Sequence, residues 1–454
     1  MNAHDEQRFR RLSPLTPVAR APIVLLAVVG TSWQQLISQG VGVFSIMLGA
    51  LLVAGGAYGV ASWVRTKYWI DGDELRIDTG VVVRQSRRIR IDRLQGIDIV
   101  QPLVARLMGL AELKFDLASG GDREGSLAFL PHREALELRS SLLDRRDDLR
   151  DGPSEGAASA GGTPPRAPAP EVRLATLQLG PLVGSLLLST EALLMLVSGV
   201  ALVVTFLFTG AFLLAGGLAP ALIGLALALA RKLTSYYGFT LSDSAAGLHV
   251  RRGLTSLSSQ TIARARIQGL LVTEPLLWRP FGWAKLDVSV AGYKTSDPDL
   301  VQASSTLMPV APRAEIHALV HRVLGRGVSG VPLTAPPRRA RWVAPLTAWT
   351  MAVGQDAELV VSRRGFWHRR VDIVPQARVQ SVRLAQGPLQ RRLRLADVHV
   401  DSPPGPVRLL AEARDEVEAR ALLEHTVTLG HAARQRPPQP SAGRGSWEPP
   451  EMTQ

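Results

Sequence analysis

The sequence predicts a multi-pass membrane protein of α+β class: two transmembrane helical hairpins and three copies of one small β-rich unit, each capped by a C-terminal helix. Three observations carry that expectation. Hydrophobic residues make up 46 % of the chain while mean hydropathy is only +0.11, so the apolar residues are concentrated rather than spread. Basic residues flank both apolar regions on the same side. An internal repeat organises most of what remains.

Taken in order, residues 1–21 hold Arg8, Arg10, Arg11 and Arg20 and lead into an apolar stretch without a small-residue cleavage site, which predicts an uncleaved anchor. Residues 22–64 read as the first hairpin, with a polar, uncharged bend holding Gln34, Gln35 and Gln39. Residues 192–230 read as the second, turning near Thr209–Gly210. Residues 174–191 are apolar but hold Gln178, Pro181 and Glu191, so an interfacial helix is expected, with a longer tilted span as the alternative. Arg20, Arg65 and Lys67 flank the first pair, and Arg173, Arg231 and Lys232 the second. Neither turn carries Lys or Arg, so the positive-inside rule places both termini and the large polar segments in the cytoplasm.

The repeat aligns without a gap: Gly80–Leu113, Gly253–Leu286 and Gly365–Val398. Each block opens on a glycine that follows an alternating run, as the turn of a hairpin does. Each then reaches an Arg-x-Gln element: Arg93 and Gln95, Arg266 and Gln268, Arg378 and Gln380. Gln101, Glu274 and Gln386 coincide, as do Arg106, Arg279 and Arg391. Every copy ends in a short apolar strand and a helix. In the second helix Ile316, Leu319, Val320, Val323 and Leu324 have the spacing of a buried face. The units are expected at 65–146, 231–324 and 341–429, joined by flexible linkers at 147–173 and 325–340 rich in small residues and proline, with a disordered tail at 430–454.

Arg93-Leu94-Gln95-Gly96, then Gln101-Pro102-Leu103, Arg106 and Gly109-Leu110-Ala111, set between membrane hairpins and repeated, resemble the YdbT-like family of bacterial membrane-flanked proteins. The resemblance covers about Leu12 to Leu429. It implies bacterial pleckstrin-homology-like domains of the second type, each a split barrel of two roughly orthogonal sheets with a C-terminal helix, with no catalytic residues and no agreed ligand. Copy three departs from the pattern, with Gly387 in place of Pro102 and Pro275 and Arg394 in place of Gly109 and Gly282. Arg341–Val353, interrupted by Pro345, is too short for a third hairpin and suits the membrane interface through Trp342 and Trp349.

Composition narrows the chemistry. The absence of cysteine excludes thiolate metal sites and cysteine nucleophiles. A net charge of +13, from 52 Lys+Arg against 39 Asp+Glu, suits an anionic membrane leaflet, and no nucleic-acid motif accompanies it. His317 and His321 have metal-pair spacing without the accompanying glutamate, and Gly325–Gly330 spells a dinucleotide motif in the wrong context, so neither a metal nor a cofactor is expected. The Arg-x-Gln element is a candidate recognition surface or, more simply, a device that satisfies backbone groups where the sheet bends. Arg87, Arg88, Arg90, Arg251, Arg252, Arg369 and Arg370 are candidate lipid-facing residues. The expectation is a non-catalytic, membrane-tethered scaffold whose partners are anionic lipid and other membrane proteins, a single-domain relative of the same family among them. A role in envelope stress or antimicrobial defence is compatible with it. A small-molecule or peptide transporter component is the alternative.

Overall fold

The computed structural model describes residues 10–11, 49, 53, 57, 60–61, 64–79, 84–117, 125–151, 172–209, 212–244, 247–291, 305–403 and 405–435. Most of the first expected hairpin, the glycine at 80, most of the linker at 147–173 and the tail beyond Gln435 lie outside them.

Each copy contributes two three-stranded antiparallel meanders. Copy one supplies β2 (Lys67–Asp71), β3 (Glu74–Thr79) and β4 (Gln85–Arg90), then β5 (Leu94–Pro102), β6 (Leu110–Leu117) and β7 (Gly125–Pro131); a two-residue β1 (Arg10–Arg11) pairs with β2. Copy two follows with β9 (Thr240–Ser244), β10 (Gly247–Arg252), β11 (Ser256–Ile262), β12 (Ile267–Pro275), β13 (Trp283–Val290) and β14 (Thr306–Pro312), preceded by β8 (Val172–Thr176). Copy three has β15 (Ala352–Gln355), β16 (Leu359–Arg364), β17 (His368–Pro375), β18 (Ser381–Ala385), β19 (Leu395–Asp401) and β20 (Leu409–Asp415). The helices are α1 (Leu103–Leu107), α2 (His132–Asp151), α3 (Leu179–Leu187), α4 (Thr190–Thr209), α5 (Phe212–Tyr236), α6 (Arg313–Leu324), α7 (Pro388–Arg392) and α8 (Glu416–Gln435).

The sheets do not respect the copies. Among the described residues they run β1-β2-β3-β4, β7-β6-β5-β11-β10-β9-β8, β14-β13-β12-β17-β16-β15 and β18-β19-β20. The second meander of one copy is thus joined edge to edge with the first meander of the next. The two joints share one register: Gln101 faces Leu257 and Pro102 faces Ser256 at the first, while Glu274 faces Arg369 and Pro275 faces His368 at the second, which are equivalent positions of the repeat.

The chain accordingly divides into two compact units. The first comprises Met1–Thr176, Ala230–Ile262 and Gly292–Val301, and the second Leu177–Leu229, Ala263–Ala291 and Gln302–Gln454. Copy two contributes one meander to each. In the first unit, alternate residues of copy one, Leu75, Ile77, Ile97, Ile99, Leu113 and Phe115, pack with Ala135, Leu138 and Leu142 of α2 into one core. In the second, Leu271 joins Val360, Val374, Val400 and Leu409. Ile316, Leu319 and Val320 are the buried residues of α6.

Gly253 (φ 106°) and Gly365 (φ 92°) make the turns between β10 and β11 and between β16 and β17. A Cβ there would collide with the carbonyl oxygens of Ser256 and His368, so the turn requires glycine twice over.

The expected class of multi-pass membrane protein with two transmembrane hairpins is corrected. The architecture is mixed α/β with several sheets, and among the described residues no single helix is long and apolar enough to cross a membrane. Among the described residues one pair of helices, Leu179–Leu187 and Thr190–Thr205, bent by 50°, is long and apolar enough when taken together. Two smaller expectations also change. Residues 172–176 are a strand, so the helix at 174–191 begins only at Leu179. The segment at 325–340 is built in: Val331 is buried, and the Thr334 amide and carbonyl both bond to Val353.

Candidate functional site

The Arg-x-Gln element occupies one structural position in each copy, a single 3-10 turn that ends a first meander and opens a second. Arg93, Arg266 and Arg378 close the turns Ile91–Arg93, Arg264–Arg266 and Gln376–Arg378. Their surroundings differ. Arg266 donates from Nε and Nη2 to the Ala291 carbonyl at 3.2 and 2.6 Å, and the Ala291 amide returns a bond to the Arg266 carbonyl. Gln268 is buried and donates from Nε2 to the same Arg266 carbonyl at 3.3 Å. Arg378 donates from Nη2 to the Ala265 carbonyl at 2.6 Å, whereas Gln380 is exposed and is held by its amide on Asp401. Arg93 is exposed and Gln95 lies on β5. These bonds of Arg266, Gln268 and Arg378 go to backbone carbonyls.

The candidate lipid-facing arginines differ in exposure. Arg88, Arg90 and Arg251 are exposed, and Arg87 is half-buried. Arg90 is held by Asp92 through two bonds of 3.2 and 2.8 Å. Arg252 is corrected: it is only 7 % exposed, because alternation along β10 turns it to the side opposite Arg251. Arg369 reaches Glu274 at 3.3 Å, and Arg370 donates to the Pro406 carbonyl at 2.8 Å.

The second joint holds charges that pattern reading did not bring together. Glu274 is 4 % exposed and is gripped by Arg313, whose Nε and Nη2 lie 2.8 and 2.9 Å from its two oxygens, and by Arg369. Arg279 donates to the Phe366 carbonyl, and the Leu276 amide bonds to Trp367 O at 2.7 Å. Burial first, and Arg369 next, pull the Arg279 guanidinium below its ordinary pKa; Glu274 opposes the shift and Arg313 adds to it. Further along the joint Asp372 is fully buried. It accepts the Arg408 amide at 3.0 Å, with Arg364 and Arg370 at 3.5 and 3.8 Å. Burial pushes its carboxyl above the ordinary range, because neither guanidinium comes closer than 3.5 Å. Glutamate at a position where the other copies carry glutamine was the signal in the sequence; the cross-strand pairing that makes it a cluster was not.

Aromatic residues surround this cluster. Phe366 stacks edge-on against Trp349 and Trp367 at 5.5 and 5.4 Å. Trp342, Trp349 and Trp367 are exposed by 78, 60 and 68 %. The turn at Leu276–Phe281 connects this patch to α3, since Trp278 Nε1 donates to the Ser185 carbonyl at 3.2 Å and Trp283 lies against Gly184. Beyond it α4 exposes Leu194, Leu196, Val197, Val200, Val203 and Leu207.

A family model described as Bacterial PH domain matches residues 21–146, 183–327 and 318–427, most of the chain. The chain belongs to that family. Each match takes in one copy of the repeat. A stretch of 108 residues of the chain is 31 % identical to the UPF0699 transmembrane protein YdbT of Bacillus subtilis (strain 168). That match covers 24 % of this chain and 22 % of the relative, so it spans about a fifth of the relative's length.

Proposed function

We propose that this bacterial PH protein is a membrane-associated, non-catalytic binding platform at the inner face of the bacterial cell membrane, whose PH copies contact anionic lipid or partner proteins. The observation that carries the reading is the apolar surface of α3 and α4. Leu196, Val200, Val203, Leu207 and Phe208 are all more than half exposed, an apolar face far more continuous than the scattered residues usual on a soluble surface. Membrane association of this kind needs an apolar face against lipid, not a complete crossing. The name of the YdbT relative, a transmembrane protein, supports the same setting. The binding role follows from family membership and from the basic balance of the chain, +13 overall.

The test is retention. Membranes from cells producing the full chain are washed in low and then high salt. The chain is expected to stay in the pellet, because apolar burial strengthens rather than weakens with salting-out ions. Release into the supernatant at high salt would leave the apolar face without a role and overturn the reading.

A further inference from the structure

We propose that the second joint is a binding site for a phosphate group, held by Arg279, Arg313 and Arg369 beside the exposed Phe366–Trp367 turn. The proposal deepens, and rests on, the reading of the chain as a platform at an anionic surface. Three guanidinium groups act on one buried carboxylate, Glu274, which leaves positive charge uncompensated at one place on the second unit. Guanidinium is the side chain best matched to the paired oxygens of a phosphate.

The fold does not ask for this charge. At the equivalent position of the first joint Gln101 replaces Glu274, Leu257 replaces Arg369 and His132 replaces Arg313, in the same register. There Gln101 Nε2 simply donates to His132 Nδ1 at 2.7 Å. The arginine at 279 recurs as Arg106 and Arg391, so what is particular to the second joint is the set of partners brought to it. The hairpin turn changes in step: Leu254 and Thr255 at the first joint become Phe366 and Trp367 at the second. An exposed tryptophan beside unbalanced arginines is the side-chain pair that favours the bilayer interface, where an amphipathic ring meets headgroup charge. Arg313 and Arg369 remain partly exposed, at 42 and 35 % of their side chains, so a ligand can reach them.

Tryptophan fluorescence of the full chain, with Trp367→Phe to assign the signal, reads the site directly. The probes are dihexanoyl-phosphatidylglycerol, inorganic phosphate and phosphate-free dihexanoylglycerol. The phosphatidylglycerol is expected to give a saturable change that disappears in Trp367→Phe. Arg369→Leu and Arg313→His, which install the residues of the first joint, should each weaken it about fivefold. A response to inorganic phosphate as well assigns a free anion as the source; a response to the lipid alone assigns the headgroup. Equal titration by dihexanoylglycerol, no saturable response to either phosphate probe, or unchanged binding in both arginine variants overturns the site. If the chain still resists salt washing from membranes in that event, the platform reading stands and only this site falls.

Discussion

The two joints are built on the same backbone and stabilised by different chemistry. At the first, the four positions are Gln101, His132, Leu257 and Gln260, with no carboxylate among them, and Arg139 Nη2 donates across from α2 to Thr261 Oγ1 at 2.8 Å. At the second, the equivalent positions are Glu274, Arg313, Arg369 and Asp372, an ionic seam. Edge pairing is supplied by backbone groups that every residue carries, so it tolerates both. The difference teaches that charge at the second joint is not a requirement of pairing. Buried ion pairs add little net stability over a neutral seam because desolvation offsets their attraction.

The largest expected effect breaks the second seam at its most buried point. Asp372→Leu leaves the Arg408 amide without its acceptor and removes the carboxylate that Arg364 and Arg370 face, and should cost about 1–3 kcal/mol, measured by urea denaturation of the full chain. Asp372→Gln, which installs the residue found at Gln260, should cost much less. The pH dependence follows from the raised carboxyl. The folded state holds its proton more tightly than the unfolded chain, so this contribution is fully present below the ordinary carboxylate range and is lost as pH rises through the folded value. The urea midpoint of the wild type relative to Asp372→Asn should therefore fall with rising pH across that window; a rise would show the ion pairs outweighing burial.

A smaller effect compares the turns that lead into the second meanders. Gln268→Ala leaves the Arg266 carbonyl without one donor and opens a buried site, so the second unit should lose about 1 kcal/mol. The exposed Gln380→Ala should leave the same thermal curve in place. Equal losses would mean that the element acts alike in both copies despite its different surroundings.

The smallest effect converts one seam into the other. Glu274→Gln combined with Arg369→Leu gives the second joint the cross-strand pair of the first, and the change in stability should stay within about 1 kcal/mol. A loss of several kcal/mol would make the ionic seam structural and remove the contrast between the joints.

Much of this was legible before any coordinates. The gap-free spacing of the blocks gave the three copies, the glycines at 253 and 365 their turns, and the i, i+3, i+4 spacing the buried side of α6. Arg252 was misread because a run of arginines was treated as one face, while a strand sends successive side chains to opposite sides. The membrane hairpins were read from apolar stretches and their basic flanks, whereas among the described residues no single helix is long and apolar enough to cross a membrane. Of the candidate site, Glu274 and Arg279 were noticed as coinciding positions of the repeat and Arg369 as part of a basic run, yet nothing in their spacing joined them.

The sequence by itself determined the repeat, the hairpin turns and the alternation that buries one side of each strand, because those depend on side chains a few residues apart. Only the tertiary structure decided which edges meet. Backbone amides and carbonyls are the same at every position, so an open edge can pair with any strand of matching length, and no side-chain pattern records the choice. That choice puts Arg369 of copy three opposite Glu274 of copy two, and with it Arg279, Arg313 and the Phe366–Trp367 turn in one place.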